Sequence, residues 1–122
     1  MEPPDDIRTR LRRALGVALK ARDAGAVSAL RSAMSAIGNA EAVAPTARPA
    51  GTSSAHFAGT VAGLGAGEAQ RRLLTEADAD AIVRQEAAER EAAAGEYERG
   101  GRAAEAARLR EGARALMAVL GR

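Results

Sequence analysis

Between Leu73 and Leu120 the chain carries two helical patterns that meet at Gly100-Gly101, and this pair limits the fold more than any other feature. The first pattern opens on Leu74-Thr75-Glu76-Ala77-Asp78. Thr75 suits an N-cap, and Asp78 three residues later makes a variant of the capping box. Leu74 stands where a hydrophobic staple takes its apolar residue, with Ala79 opposite. Glu76, Asp78 and Asp80 put negative charge in the first turns, where the helix dipole favours it. The stripe then runs through Ala79, Ile82 and Val83, with Ala93 or Ala94 and Tyr97 further on. Asp80–Arg84 and Glu86–Arg90 are i,i+4 pairs in the favourable order.

After the two glycines a single face returns at Ala106, Leu109, Ala113, Leu116 and Leu120. A short break between two amphipathic helices predicts an antiparallel hairpin. Charge fits that arrangement: residues 73–98 hold eight acidic and two basic side chains, and residues 99–122 hold two acidic and six basic. Opposite signs are expected of helices that lie side by side. Gly112, in the middle of the last pattern, costs about 1 kcal/mol relative to Ala and is read as a mark of close helix contact.

Upstream, Pro3-Pro4 cannot continue a helix, whereas Asp5 or Asp6 can cap one. Ile7, Leu11, Leu15, Ala18 and Leu19 follow at helical spacing. Asp23-Ala24-Gly25 reads as a break, with Gly25 suited to a positive φ at the helix end. Val27, Leu30, Met34 and Ile37 form a second stripe that fades at Gly38-Asn39. Residues 42–72 then change character: Pro, Gly, Ser, Thr and Ala fill them without a period, which predicts a long flexible linker. Phe57 in that stretch is either a docking residue or an idle surface one. The expectation is one all-α domain over 1–122: a helix pair at 5–41, the linker, and a hairpin at 73–120, closing a small bundle.

The core should be thin. Hydrophobic residues reach 47%, yet the chain has one Phe, one Tyr and no Trp, and Ala dominates. Apolar burial stabilises by roughly 25 cal/mol per Å², and Ala has little area to bury. Helix propensity, where Ala ranks best, has to carry more of the stability, and self-association or a partner could supply missing burial. The chain has no Cys, which excludes disulfides and thiolate metal sites. MEPPDDIRTR lacks the apolar core of a signal peptide, and no run approaches the roughly 18 apolar residues of a membrane span. The cytoplasm is the expected compartment, and no membrane contact is expected.

No catalytic constellation emerges. Gly63-Leu64-Gly65-Ala66-Gly67 lacks the preceding strand of a dinucleotide fingerprint and the Lys-Ser/Thr of a P-loop. His56 is the only histidine and has no second group to orient it. Glu86, Glu89 and Glu96 lack the Glu-x-x-His partner of bundle carboxylate sites. No cofactor or metal is expected. The arginines carry the remaining signal, in clusters at Arg8–Arg13, Arg71-Arg72 and Arg99–Arg114. Clustered positive charge is what phosphate contact requires, but acidic residues are almost as numerous and no aromatic is interleaved to stack bases. A solvated, salt-bridged face and an RNA surface are both open. For RNA the candidates are Arg8, Arg12, Arg13, Arg102, Arg108, Arg110 and Arg114.

Three stretches together resemble the GatB/YqeY family, small bacterial helical proteins related to the tail of an amidotransferase subunit. Lys20-Ala21-Arg22-Asp23, then Leu30-Arg31, Ser32-Ala33 and Asn39-Ala40-Glu41, are similar to its "KA.D…LR…SA…NAE" pattern. Leu74-Thr75-Glu76 followed by Ile82 to Arg90 is similar to its "LT…D…V…E…R" helix. Glu98-Arg99-Gly100-Gly101-Arg102 resembles its "AGR" turn. Ala103, Ala104 and Glu105 depart from the Leu and Glu usual after that turn. The chain stops at Gly121-Arg122, where the family continues with "YLP" and a further helical subdomain, so that subdomain is expected to be missing. The resemblance implies a non-catalytic tRNA- or protein-binding module. Its alternative is carbon–nitrogen ligase activity with glutamine as amido-N-donor. A third class, from composition, is a structural protein that self-associates through its Ala-rich faces.

Overall fold

The computed structural model describes residues 5–43 and 74–121. Among them all regular structure is helical: α1 (Ile7–Ala21), α2 (Ala24–Val43), α3 (Glu76–Arg99) and α4 (Ala103–Leu120). Most of the predicted linker lies outside the described residues, and with it His56, Phe57, the Gly63–Gly67 stretch and Arg71-Arg72.

Local chemistry sets the helix ends. Asp6 caps α1, its carboxylate accepting the Thr9 amide at 2.8 Å. That amide holds the Asp6 carboxyl below its usual range, the Thr9 hydroxyl next and Arg8 and Arg12 helping. Thr75 and Asp78 complete the capping box of α3, with the Asp78 amide 3.0 Å from Thr75 Oγ1 and the Thr75 amide 3.3 Å from Asp78 Oδ2. Leu74 packs against the core and Ala79 is buried, as a staple requires.

Both helix pairs turn on the same device. At the end of α1 the Asp23 amide donates to Ala18 O at 3.0 Å and the Arg22 amide to Leu19 O at 3.2 Å. At the end of α3 the Arg102 amide reaches Tyr97 O at 2.8 Å and the Gly101 amide Glu98 O at 3.1 Å. This is the Schellman pattern, which needs a left-handed residue after the helix. Gly101 supplies it at φ 81° without strain. In the first turn Arg22 supplies it, at φ 57°, against a side-chain clash of on the order of 1 kcal/mol. The expectation that Gly25 takes the positive φ is therefore corrected. Asp23 caps the next helix at once, accepting the Ala26 amide at 3.1 Å, so Gly25 falls inside α2.

A second correction concerns the end of α2. It runs on past Gly38-Asn39, where the stripe fades, to Val43, two residues beyond the expected boundary at 41. Gly38 costs about 1 kcal/mol in a helix. Burial of Ile37 and the Arg8–Glu41 ion pair beyond it offset that cost.

The helices run alternately up and down. The Ile7 amide donates to Glu76 Oε2 at 3.2 Å, which places the starts of α1 and α3 together. Glu41 meets Arg8 and also accepts the Leu74 amide at 3.5 Å, bringing the end of α2 to the same place. Ser32 Oγ donates to Glu86 at 2.8 Å, and Arg90 holds the same carboxylate at 3.1 Å, which joins α2 to α3. Helix α4 packs on all three others, most extensively on α3 and then on α2.

The largest fully buried side chains are Ile7, Leu11, Leu30, Val83, Leu116 and Leu120; Ala fills most of the remaining core. Small side chains let the helices approach closely. A Cβ on Gly25 would stand 2.4 Å from Arg108 O, and one on Gly112 would stand 2.8 Å from Ala29 Cβ and 2.9 Å from Gly25 O. Gly112 does mark the helix contact read from the sequence, and Gly25 is its counterpart on α2. This closeness also rotates the predicted stripes. Ala26, Ala29 and Ala33 take the innermost positions of α2, while Val27 and Met34 move to its flanks. Leu19 and Tyr97 leave the core altogether, at 48% and 39% exposure. Tyr97 lies under the Arg102 guanidinium instead, 5.5 Å from ring centre to carbon.

Candidate functional site

Four of the seven candidate arginines are engaged within the bundle. Arg8 pairs with Glu41, both side chains about a quarter exposed. Arg13 meets Asp5 at 2.6 Å and Arg102 meets Glu105 at 3.0 Å. Arg110 reaches from α4 to α3, to Glu98 at 2.9 Å and Glu91 at 3.7 Å. Glu98 in the first place raises the pKa of Arg110. Glu105 is held below the usual carboxylate range by its own backbone amide and then by Arg102. Arg12, Arg108 and Arg114 have no ion pair among the described residues. They do not converge: Arg108 borders a cleft between α2, α3 and α4, Arg114 borders the seam of α3 and α4, and Arg12 stands apart on α1.

An open apolar groove lies elsewhere. A groove of about 490 Å³ lies between α1 and α4, with Leu30 and Ala26 of α2 at its base. Its α1 wall is Ala14, Val17, Ala18 and Ala21, and its α4 wall is Ala115, Ala118 and Val119. Val17 is 65% exposed, a large apolar area for a β-branched side chain in a small bundle. Arg10 and Arg13 line one end of the groove and Asp23 the other. Ala118 also lines a second groove between α3 and α4, beside Met117. Met117 is itself 43% exposed, so apolar surface continues across the outer face of α4.

This groove escapes a reading that looks for one stripe per helix. Ala14, Val17, Ala18 and Ala21 are themselves spaced i, i+3, i+4, i+7, a second stripe beside Ile7-Leu11-Leu15. On α4, Ala115, Ala118 and Val119 do the same beside Leu116 and Leu120. A helix with two such stripes has more apolar surface than one seam can bury, and that was the available signal.

Among the described residues no group of His, Cys, Asp and Glu is arranged to hold a metal. The Ser32 hydroxyl faces a carboxylate, but Glu86 is already bound by Arg90, and the three form a clamp between helices. No described helix is long and apolar enough to cross a membrane. No family model, curated protein or solved structure matches this chain.

Proposed function

We propose that this chain is a non-catalytic helical binding module whose working surface is the apolar groove between α1 and α4, and that its partner is a protein. The supporting observation is the groove: a small bundle leaves Val17 and a run of alanines uncovered when its composition offers little else to bury. Exposed apolar patches rimmed by polar residues are characteristic of protein contact sites. The resemblance of its motifs to the GatB/YqeY family favours the same class, a recognition element without chemistry of its own. That resemblance also favours tRNA as the ligand, and here charge weighs the other way. Engaged arginines have less to offer phosphate, and the three candidates without ion pairs lie on different parts of the surface.

Anisotropy of labelled bulk tRNA across a salt series, with an unstructured RNA of equal length as control, separates the two ligands. The expected result is weak and equal binding to both RNAs, as generic attraction to a basic protein gives. Preferential, steeply salt-dependent tRNA binding that is lost in Arg108→Glu or Arg114→Glu would replace this proposal with the RNA one. Glutamine hydrolysis by the purified chain is expected to stay at background.

A further inference from the structure

We infer that the occupant of the α1–α4 groove is an acidic amphipathic helix of a partner protein, about three turns long, with its carboxylates at the Arg10–Arg13 end. The inference rests on the protein-binding reading above and adds the chemistry of the partner. From Arg10 to Ala21 the groove wall spans eleven residue steps of α1, about 16 Å at helical rise, or three turns of a docked helix. Both walls present methyl groups and short branches rather than large side chains. Such a surface offers holes. The knobs that fill them, at i, i+3, i+4 and i+7 of the incoming helix, have to come from the partner.

Charge selects among occupants. Arg10 has no ion pair among the described residues, and its Nε is buried without a hydrogen-bond acceptor. An uncompensated guanidinium beside an apolar surface favours a carboxylate over any neutral group. Arg13 is held only by Asp5, in a pair whose side chains are 61% and 44% exposed, and pairs of that kind exchange readily. Arg84, paired with Asp80, and Arg114 border the neighbouring groove together with Glu91. A second copy of this chain would bring Asp23 as the one acid among its groove-lining residues, and that carboxylate is already engaged by the Ala26 amide, so a partner with carboxylates of its own suits the Arg10–Arg13 end better. A nucleic acid would satisfy the arginines but leave the alanine walls and Val17 in contact with phosphate. At the far end Asp23 already accepts the Ala26 amide, and its remaining charge suits a basic side chain on the docked helix.

The test uses the full chain and three stapled helical peptides of about three turns. One carries Leu at i, i+3, i+4 and i+7 with two Glu near one end. The second replaces both Glu by Lys, and the third keeps Glu but replaces Leu by Ser. Binding is read by fluorescence anisotropy against the parent protein, Ala118→Glu and Arg13→Glu, each checked for helicity. Ala118 and Arg13 are exposed, so neither variant disturbs the core. The first peptide is expected to bind at least about tenfold more tightly than either control, which corresponds to about 1.4 kcal/mol. Ala118→Glu should remove that binding, and Arg13→Glu should remove the preference for Glu over Lys. Equal or tighter binding of the Lys peptide, still abolished by Ala118→Glu, would overturn the acidic partner and leave the groove reading standing. Binding of no amphipathic peptide, or binding indifferent to Ala118→Glu, would overturn both.

Discussion

Gly25→Ala is expected to be among the most damaging single-atom additions this chain can receive. The new methyl group would lie 2.4 Å from the carbonyl oxygen of Arg108, and that oxygen belongs to the backbone of α4, which no side-chain rotation can move aside. Relief requires α2 and α4 to separate, which loosens Ala29 against Gly112 and the alanine contacts on either side. Overpacking of this kind costs about 1–3 kcal/mol and more where backbone has to shift; here the upper end is expected. Domains of this size are stable by only about 5–15 kcal/mol, so the loss is easily read from the urea midpoint by far-UV circular dichroism. Gly112→Ala should act in the same direction, since its methyl group meets Ala29 Cβ at 2.8 Å and Gly25 O at 2.9 Å. Gly16 provides the contrast: it is helical, nothing stands within 4 Å of a Cβ there, and Gly16→Ala is expected to stabilise by roughly 0.5–1 kcal/mol. If all three substitutions stabilised, the close crossing of α2 and α4 would be wrong.

Leu116→Ala is the second large effect. Leu116 is fully buried on α4, which packs on all three other helices, and it is among the largest fully enclosed side chains of the described residues. Truncating such a residue removes its transfer free energy and leaves a cavity, together about 2–5 kcal/mol. The midpoint should fall with little change in the dependence on denaturant. A loss below about 1 kcal/mol would place Leu116 at a periphery rather than in the core.

What could be read in advance was what is encoded locally. Thr75 and Asp78 lie within one turn of each other, Asp6 lies three residues from the amide it caps, and Gly100-Gly101 sits in the turn it forms. Each of these needs only neighbouring residues to act. What failed depended on distant ones. Glycine often ends helices, so the sequence points Gly25 to a turn, whereas its role comes from Arg108 on another helix and Arg22 takes the strained conformation instead. The extent of α2 depended on Arg8 reaching Glu41. The same remoteness hid the fate of the arginines, since Arg8 and Arg110 are engaged by acids far along the chain. The groove was obscured for a different reason. Alanine suits core and surface alike, so Ala14, Ala18, Ala115 and Ala118 announce neither, and only the packing of α1 against α4 distinguishes buried methyl groups from uncovered ones.

The groove also explains why a thin core can be retained. A protein that presents an apolar surface without aggregating does well to build it from small side chains, which expose little area each. Val17 in the groove wall and Met117 beside it are the larger apolar side chains left exposed there.

The most direct measurement of this account is a backbone-amide NMR titration of the isotope-labelled chain with the Leu- and Glu-bearing helical peptide. Perturbations are predicted along Ala14–Ala21 of α1 and Ala115–Val119 of α4, with the Arg10 and Arg13 amides at one end. Perturbations that gather instead around Arg108 and Arg114, or that spread evenly over all four helices, would contradict the groove as the working surface.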